Sequence, residues 1–395
     1  MMTNQLHTSQ EITNLKRSII RDLLAHAVDP EIISMAGGLP ASDLIPVEGF
    51  QICLREVLAR DGPSALQYSP QYEPLREWIA TYMKGRGVPC ETAQVIITNG
   101  AQQGLAIVSR LFLEPGEPAV IEEITFTGIQ QVTVGRNADV RLIPTDLSTG
   151  ADVEALEAAF RQEPRPRLAI LIPDFHNPLG ISLTEEKRLR AAALAAEYAV
   201  PLIEDDPYSP LRFSGEKLPP IKAFDEAGCV FYLGSFSKML TPAVRLGWIV
   251  APSEMIPKIM ALRESIDLET STLIQRTVAE FLRRGLLEEH LVQLRDVNRV
   301  RSEALMGALD SDLGDLATWT QPEGGIFVWV TLPETVDAKE MFQAAVKRKV
   351  AYIPGVAFAV RGDHRNTMRL NFSNASPDSI REAVRRLSEV IRDML

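Results

Sequence analysis

Between residues 92 and 252 the chain alternates short, nearly unbroken apolar runs with stretches of helical periodicity. The runs are AQVIIT (93–98), PAVIEE (118–123), RLAILIP (167–173), VPLIEDD (200–206), CVFYLGS (229–235) and LGWIVAP (246–252). Apolar runs without polar alternation predict strands covered on both faces. Between them, GAQQGLAIVSRLFL (100–113) and TEEKRLRAAALAAEYA (184–199) carry a helical pattern, the second with Thr184 at its N-cap position. Strands and helices in that alternation predict an α/β architecture with a mostly parallel sheet.

The C-terminal third changes character. Residues 257–310 read as long helices, and GIFVWVTLP (325–333), VAYIPG (350–355) and TMRLNFS (367–373) read as strands. The closing segment SPDSIREAVRRLSEVIRDML places Ser376 at a cap and Pro377 at the first helical position. Ile380, Val384, Leu387 and Ile391 then form one apolar stripe. A smaller α+β domain is expected here.

Length and composition fit this division. A chain of 395 residues, 46% apolar and 24% charged, is expected to hold two domains or one large domain with a satellite. The net charge of −11 comes from interspersed signs, which argues against a nucleic-acid surface but leaves room for a local anion site. Three distant cysteines (Cys53, Cys90, Cys229) suggest no disulfide framework, and five scattered histidines suggest no metal site. The N-terminal MMTNQLHTSQEITNLKR lacks the apolar core of a secretory signal. No apolar run approaches the ~18 residues of a membrane span. A cytoplasmic protein without membrane or nucleic-acid partners is expected.

In open α/β sheets, ligands bind beyond the carboxyl ends of the strands, so the residues that follow each run are the ones to inspect. After AQVIIT, Gly100, Ala101 and Gln102 begin a helix whose free N–H groups suit a phosphate. After RLAILIP, Asn177 sits on a Pro-Gly turn. After VPLIE, either Asp205 or Asp206 is a strand-end acid that needs a cationic partner. After CVFYLG, the SFSK segment places Lys238 in a partly dry crevice, where a lowered pKa makes it a carbonyl nucleophile. Seven residues on, Arg245 is suited to neutralising a phosphate. Taken singly, these are a turn, a loop acid and surface charges. Together they outline a site for an anionic aldehyde.

These motifs resemble those of the fold-type-I pyridoxal 5′-phosphate (PLP) enzymes. Among them the chain is similar to the class I/II aminotransferases, in the 2-aminoadipate/kynurenine aminotransferase branch. The resemblance runs from SIIRDLLAH and SMAGGLP through LQYSP, TNGAQQGL, IPDFHNPLG, EDDPYSPLRF, GSFSKMLTPAVRLGW and PEGGIFVW to MRLNFS. It implies a large domain with a mostly parallel seven-stranded sheet and a smaller α+β domain built from the N-terminal segment and the C-terminal third. The implied boundaries are 1–45 for the N-terminal arm, 46–275 for the PLP-binding domain and 276–395 for the small domain.

The resemblance also implies roles. Lys238 ties PLP covalently and later moves a proton; Asp205 pairs with the ring nitrogen, because the family's tyrosine lies three residues on, at Tyr208. Tyr208 and Asn177 bond the ring hydroxyl, and Phe126 stacks on the ring where relatives usually carry tyrosine. Ala101, where many relatives carry serine, joins Gly100, Gln102, Ser235, Ser237 and Arg245 around the phosphate. Arg369 clamps the substrate carboxylate, with Asn177 in reach, and Gly38 belongs to a turn that faces the substrate. Arg21 aligns with an arginine that grips a side-chain carboxylate, a reading level with that of an ordinary charged helix residue. Tyr68 reaches the phosphate of a second subunit, which implies a homodimer with shared sites; the segment after it, SPQYEPLRE, lacks the family's glycine-containing spacer.

The implied reaction moves an amino group from an L-α-amino acid to a 2-oxo acid such as 2-oxoglutarate. The donor is 2-aminoadipate-like, acidic, or large and apolar or aromatic, and the cofactor alternates with pyridoxamine 5′-phosphate in a ping-pong cycle. A carbon–sulfur lyase or decarboxylase would use the same lysine and aspartate. A non-catalytic regulator of aminotransferase-like build is disfavoured, because AGGLP begins at Ala36 and leaves too few residues for a winged helix.

Overall fold

The computed structural model of the protein describes Asp29 and residues 31–395; the position of Arg21 lies outside the described residues. Seven strands form the larger sheet: β1 (Val95–Thr98), β2 (Pro118–Glu122), β3 (Asp139–Ile143), β4 (Leu168–Leu171), β5 (Leu202–Asp206), β6 (Val230–Ser235) and β7 (Gly247–Val250). Their order is β1-β7-β6-β5-β4-β2-β3. Neighbours run parallel except at β7, which is antiparallel to both β1 and β6.

Six of these strands are the apolar runs of the sequence. The seventh, β3, has the sequence DVRLI and buries only Ile143. It closes one edge of the sheet, so it needs no continuous apolar run.

Side chains on a strand alternate between faces, and the packing follows that rule. Val120, Ala169, Leu202 and Val230 join one cluster, whereas Ile121, Ile170, Ile203 and Phe231 join another. Helix α1 (Glu73–Gly85) precedes the first strand. Helix α2 (Ala101–Phe112) covers the Ile203 face with Leu105 and Val108, and α3 (Glu185–Tyr198) covers the other with Ala191 and Leu194. Thr184 caps α3, its hydroxyl accepting from the Lys187 N–H at 3.4 Å. The short helix α4 (Phe236–Met239) follows β6 directly.

A second sheet holds β8 (Thr318–Trp319), β9 (Phe327–Thr331), β10 (Ile353–Pro354) and β11 (Thr367–Asn371) in the antiparallel order β8-β9-β11-β10. The VAYIPG run is divided. Ile353–Pro354 joins this sheet, while Val350–Ala351 pairs in parallel with Ile33–Ser34 and ties the N-terminal segment to the C-terminal third. Helix α5 (Leu286–Leu313) serves both cores: Leu287, Leu291 and Leu294 pack with the first sheet's cluster, and Leu305, Leu309 and Leu313 with the second's. In α6 (Pro377–Met394) the Ser376 hydroxyl accepts from the Ser379 N–H at 3.1 Å, and the Ile380–Ile391 stripe is fully buried. No described helix is long and apolar enough to cross a membrane.

Candidate active site

The carboxyl ends of β5 and β6 and the start of α2 open onto a cleft of about 380 Å³. Lys238, Asp205, Asn177, Tyr208, Arg245 and Arg369 all line it. Gly38, Ala101, Gln102, Phe126, Ser235 and Ser237 complete walls drawn from segments far apart in the chain. Gly100 stands just behind, as the N-cap residue of α2. Tyr68 is 80% exposed and does not line this cleft.

The two strand-end acids have opposite surroundings. Asp206 shares its face of β5 with Glu204 and is fully engaged: Arg86 lies at 2.8 Å, and the hydroxyls of Ser209 and Tyr232 donate to it at 2.7 and 2.9 Å. Asp205 turns to the other face, toward the cleft, and its Oδ1 has no hydrogen-bond partner among the described residues. Burial, reinforced by the neighbouring Asp206, pushes Asp205 up to about 7. An unmet carboxylate oxygen in a buried wall is a place for a cationic N–H.

Lys238 lies in the short helix after β6, whose start is held by Ser235 accepting from the Ser237 N–H at 3.1 Å. Its Nζ donates to the Gly38 carbonyl at 2.5 Å. Burial, with Arg369 and Arg245 nearby, holds the amine down at about 8. A fraction is therefore neutral near physiological pH, which makes the amine a competent nucleophile.

Both shifts oppose folding near neutrality. Folded Asp205 binds its proton up to about 7 whereas the unfolded group releases it near 3.8, so stability falls as pH rises between those values. Folded Lys238 loses its proton near 8 and unfolded Lys238 near 10.5, so stability returns as pH rises across that window. Lys238→Met is accordingly expected to stabilise the cofactor-free protein at pH 7.5, by about 3 kcal/mol. Denaturant melts of the two proteins should show that advantage shrinking toward zero by pH 10.5.

Arg369, on β11, is a buried cation with no carboxylate partner among the described residues. It donates to Asn177 Oδ1 at 2.8 Å and to the Ala36 carbonyl at 2.6 Å, while its Nε has no partner. The guanidinium carbon lies 4.1 Å from the ring centre of Phe327 and 4.8 Å from that of Phe358. Burial lowers its pKa to about 10, which leaves it cationic at neutral pH. The other end of the Asn177 amide donates to the Tyr208 hydroxyl at 3.4 Å. Burial raises that phenol, so Tyr208 stays protonated and can donate.

The start of α2 has the form of an anion cradle. No side chain caps it, and Gly100 enters at φ 78, in the left-handed region that suits glycine. Space is also restricted: a Cβ at Gly100 would sit 2.8 Å from Arg245 Nη2, and one at Gly247 would sit 2.7 Å from the Gly100 carbonyl carbon. Arg245 donates to the Asn99 carbonyl at 2.9 Å, has no other partner among the described residues, and stands where it can meet an anion at the helix's positive end. Gln102 donates to the Gly128 carbonyl at 3.2 Å, beside Phe126.

Several participants had no sequence signal. Phe327 and Phe358 lie in ordinary apolar patterns, yet they enclose Arg369. Thr127, Gln131 and Ile172 also line the cleft. His176 and Glu122 form a buried pair at 3.1 Å directly before Asn177. Arg86 looks like any helix-end arginine until the fold brings it to Asp206.

The family model for aminotransferase class I and II matches residues 50–387. This chain belongs to the class I and II aminotransferases. The aromatic-amino-acid aminotransferase 1 of Thermococcus litoralis is 38% identical over 98% of this chain and 94% of its own. The 2-aminoadipate transaminase of Thermus thermophilus is 36% identical over 96% of this aminotransferase and 95% of the relative. Among solved structures, the kynurenine aminotransferase of Pyrococcus horikoshii, described in complex with PMP, superposes with a TM-score of 0.93. It is 36% identical and covers 98% of this chain and 97% of its own. The activity of this aminotransferase is thus transfer of an amino group, in the branch that the motifs suggested.

Proposed function

We propose that this aminotransferase binds PLP in the cleft and moves an amino group from an L-α-amino acid to a 2-oxo acid in a ping-pong cycle. One observation carries the reading: an acid and an arginine with unmet buried polar atoms, Asp205 and Arg369, line the same cleft as a lysine of lowered pKa. An empty carboxylate oxygen fits a protonated ring nitrogen, the uncapped start of α2 with Arg245 fits a phosphate, and Lys238 fits an aldehyde. When bound, the cofactor acts as an electron sink at the substrate α-carbon.

The chain supplies the rest. Lys238 would hold the aldehyde and would carry the proton to and from the substrate α-carbon. Asp205 holds a proton on the ring nitrogen. Tyr208 and Asn177 donate toward the ring hydroxyl, and Phe126 packs on the ring. Arg245, Ser235, Ser237, Gln102 and the N–H groups after Gly100 hold the phosphate. Arg369 grips the substrate carboxylate, oriented by Asn177 and by the two rings around it.

Relatives that act on 2-aminoadipate, aromatic amino acids and kynurenine support an acidic or large, flat donor side chain. The exposed Tyr68 supports a homodimer in which this ring serves the partner's cleft. Two sheets, one within residues 95–250 and one within 318–371, support the division at residues 45 and 275. Three free cysteines are in keeping with a reducing cytoplasm.

The test is a half-reaction screen of purified holoenzyme against single amino acids with no acceptor present. Good donors are expected to bleach the visible band of the cofactor within one turnover and to release one equivalent of the matching 2-oxo acid. Release of pyruvate with ammonia or a thiol, or of carbon dioxide, would overturn the assignment to transamination.

A further inference from the structure

Asp206 is conspicuous because it does not face the cleft. β5 carries three consecutive acids, Glu204, Asp205 and Asp206, all buried. Strand alternation sends Asp205 to the cleft and its neighbours to the opposite face. There Glu204 is occupied in accepting from the Ile221 and Lys222 N–H groups, both at 2.8 Å. Asp206 meets Arg86, which follows α1 and lies partly buried between rings, its guanidinium carbon 5.7 Å from the Tyr82 ring centre and 5.5 Å from that of Tyr232. Arg86 also donates to the Tyr232 hydroxyl at 2.5 Å, and that hydroxyl donates onward to Asp206. Ser209 completes the cage with its N–H at 3.0 Å and its hydroxyl at 2.7 Å.

A salt bridge whose acid is fully desolvated is a poor source of stability, since well-packed apolar side chains of similar volume do as well or better. Its place suggests another use. It fixes a full negative charge one residue from the acid that faces the cofactor, with only the strand backbone between them, where the local dielectric screens weakly.

We propose that Asp206, kept ionised by Arg86, Tyr232 and Ser209, is a positioning residue that acts across the sheet on Asp205 and sets how firmly the acid–ring nitrogen pair holds its proton. The inference rests on the reading of Asp205 as the ring-nitrogen partner. Two links support it. Asp206 is the charged neighbour that acts on Asp205 alongside burial, and Arg86 foremost among its partners keeps Asp206 charged against burial. The other groups turned toward this cage are Tyr82 from α1, Tyr232 from β6 and Glu204 from β5; Asp174 and Arg188 stand behind it, paired with each other at 2.8 Å. None of these lines the cleft, so their effect on the cofactor would pass through the field.

The test reads the pH midpoint of the holoenzyme's visible absorbance, which follows the protonation of the lysine–cofactor link and needs no turnover. Asp206→Asn removes a negative charge and is expected to move the midpoint to lower pH, by roughly one unit. Arg86→Leu removes the cation that keeps Asp206 ionised, so the buried acid takes up a proton, both charges are lost together and the midpoint is expected to stay near the wild-type value. Should Arg86→Leu alone fail to fold, the double variant Arg86→Leu/Asp206→Asn removes both charges together and is expected near the wild-type midpoint. Unmoved midpoints in Asp206→Asn, with an altered spectrum in Asp205→Asn, would overturn this inference and leave the reading of Asp205 standing. A wild-type spectrum in Asp205→Asn would overturn both.

Discussion

Replacing Lys238 by alanine is expected to lower turnover by roughly 10⁴-fold or more, since one side chain supplies both the nucleophile and the mobile proton. The rest of the cleft does not depend on it. Ser235 still caps the short helix that carries the lysine, and Arg245 still faces the start of α2. The variant should therefore retain the cofactor non-covalently at raised concentration. Borohydride treatment followed by peptide mass mapping should place an adduct on residue 238 in the wild type and none in the variant. Relief of a buried charge also means that the cofactor-free variant should melt no lower than the parent at neutral pH. Turnover within tenfold of wild type would rule out the proposed mechanism.

Arg369→Gln is the second large effect. Among the described residues the buried guanidinium has an unmet Nε and no carboxylate to neutralise it. A carboxylate arriving there would form a desolvated, charge-assisted fork, and loss of one partner of such a pair costs about 3–5 kcal/mol. Hence kcat/KM should fall by roughly 10²–10⁴-fold. The loss should be similar for amino acid and 2-oxo acid, because both present the same carboxylate. The cofactor's absorbance should not change, since the predicted contact is with substrate. Arg369→Lys should recover only part of the activity, because an ammonium cannot make the planar fork or replace the guanidinium between the Phe327 and Phe358 rings. A spectrum that changed while substrate affinity held would place Arg369 on the cofactor instead.

These two predictions draw on residues of unequal legibility. Lys238 stands in SFSK at the end of a continuous apolar run, so its place at a strand end follows from the run and the sheet type together. Arg369 stands in MRLNFS with nothing local to separate it from a surface arginine; only the family resemblance marked it. The choice between Asp205 and Asp206 was similar. Composition allowed either acid, the spacing to Tyr208 favoured one, and the contrast between an unpartnered Oδ1 and a fully bonded neighbour became visible only with the fold.

The architecture was readable where burial is two-sided. β1, β2 and β4–β7 appear in the sequence as apolar runs because both faces of each strand are covered. The cap at Thr184 and the Ser376–Pro377 start were equally readable, because a helix end satisfies its N–H groups with side chains next to it in sequence. The edge strand β3 was missed for the converse reason, and the reversal of β7 against its neighbours for a different one. Strand direction is a property of pairing, and no local pattern encodes it. Nor does periodicity reveal that the two ends of α5 belong to different cores, since one apolar stripe looks the same whichever sheet it packs on.

By itself the sequence determined the α/β class, most of the strands, the helix starts and, through its ordered motifs, the aminotransferase family. Those are local or near-local properties, written in apolar period, cap chemistry and short motifs. Only the tertiary structure decided which acid is left unsatisfied, which rings enclose Arg369 and which cation holds Asp206. Each depends on groups from distant segments sharing one water-poor volume, where a missing partner is costly and a single charge is felt across a strand.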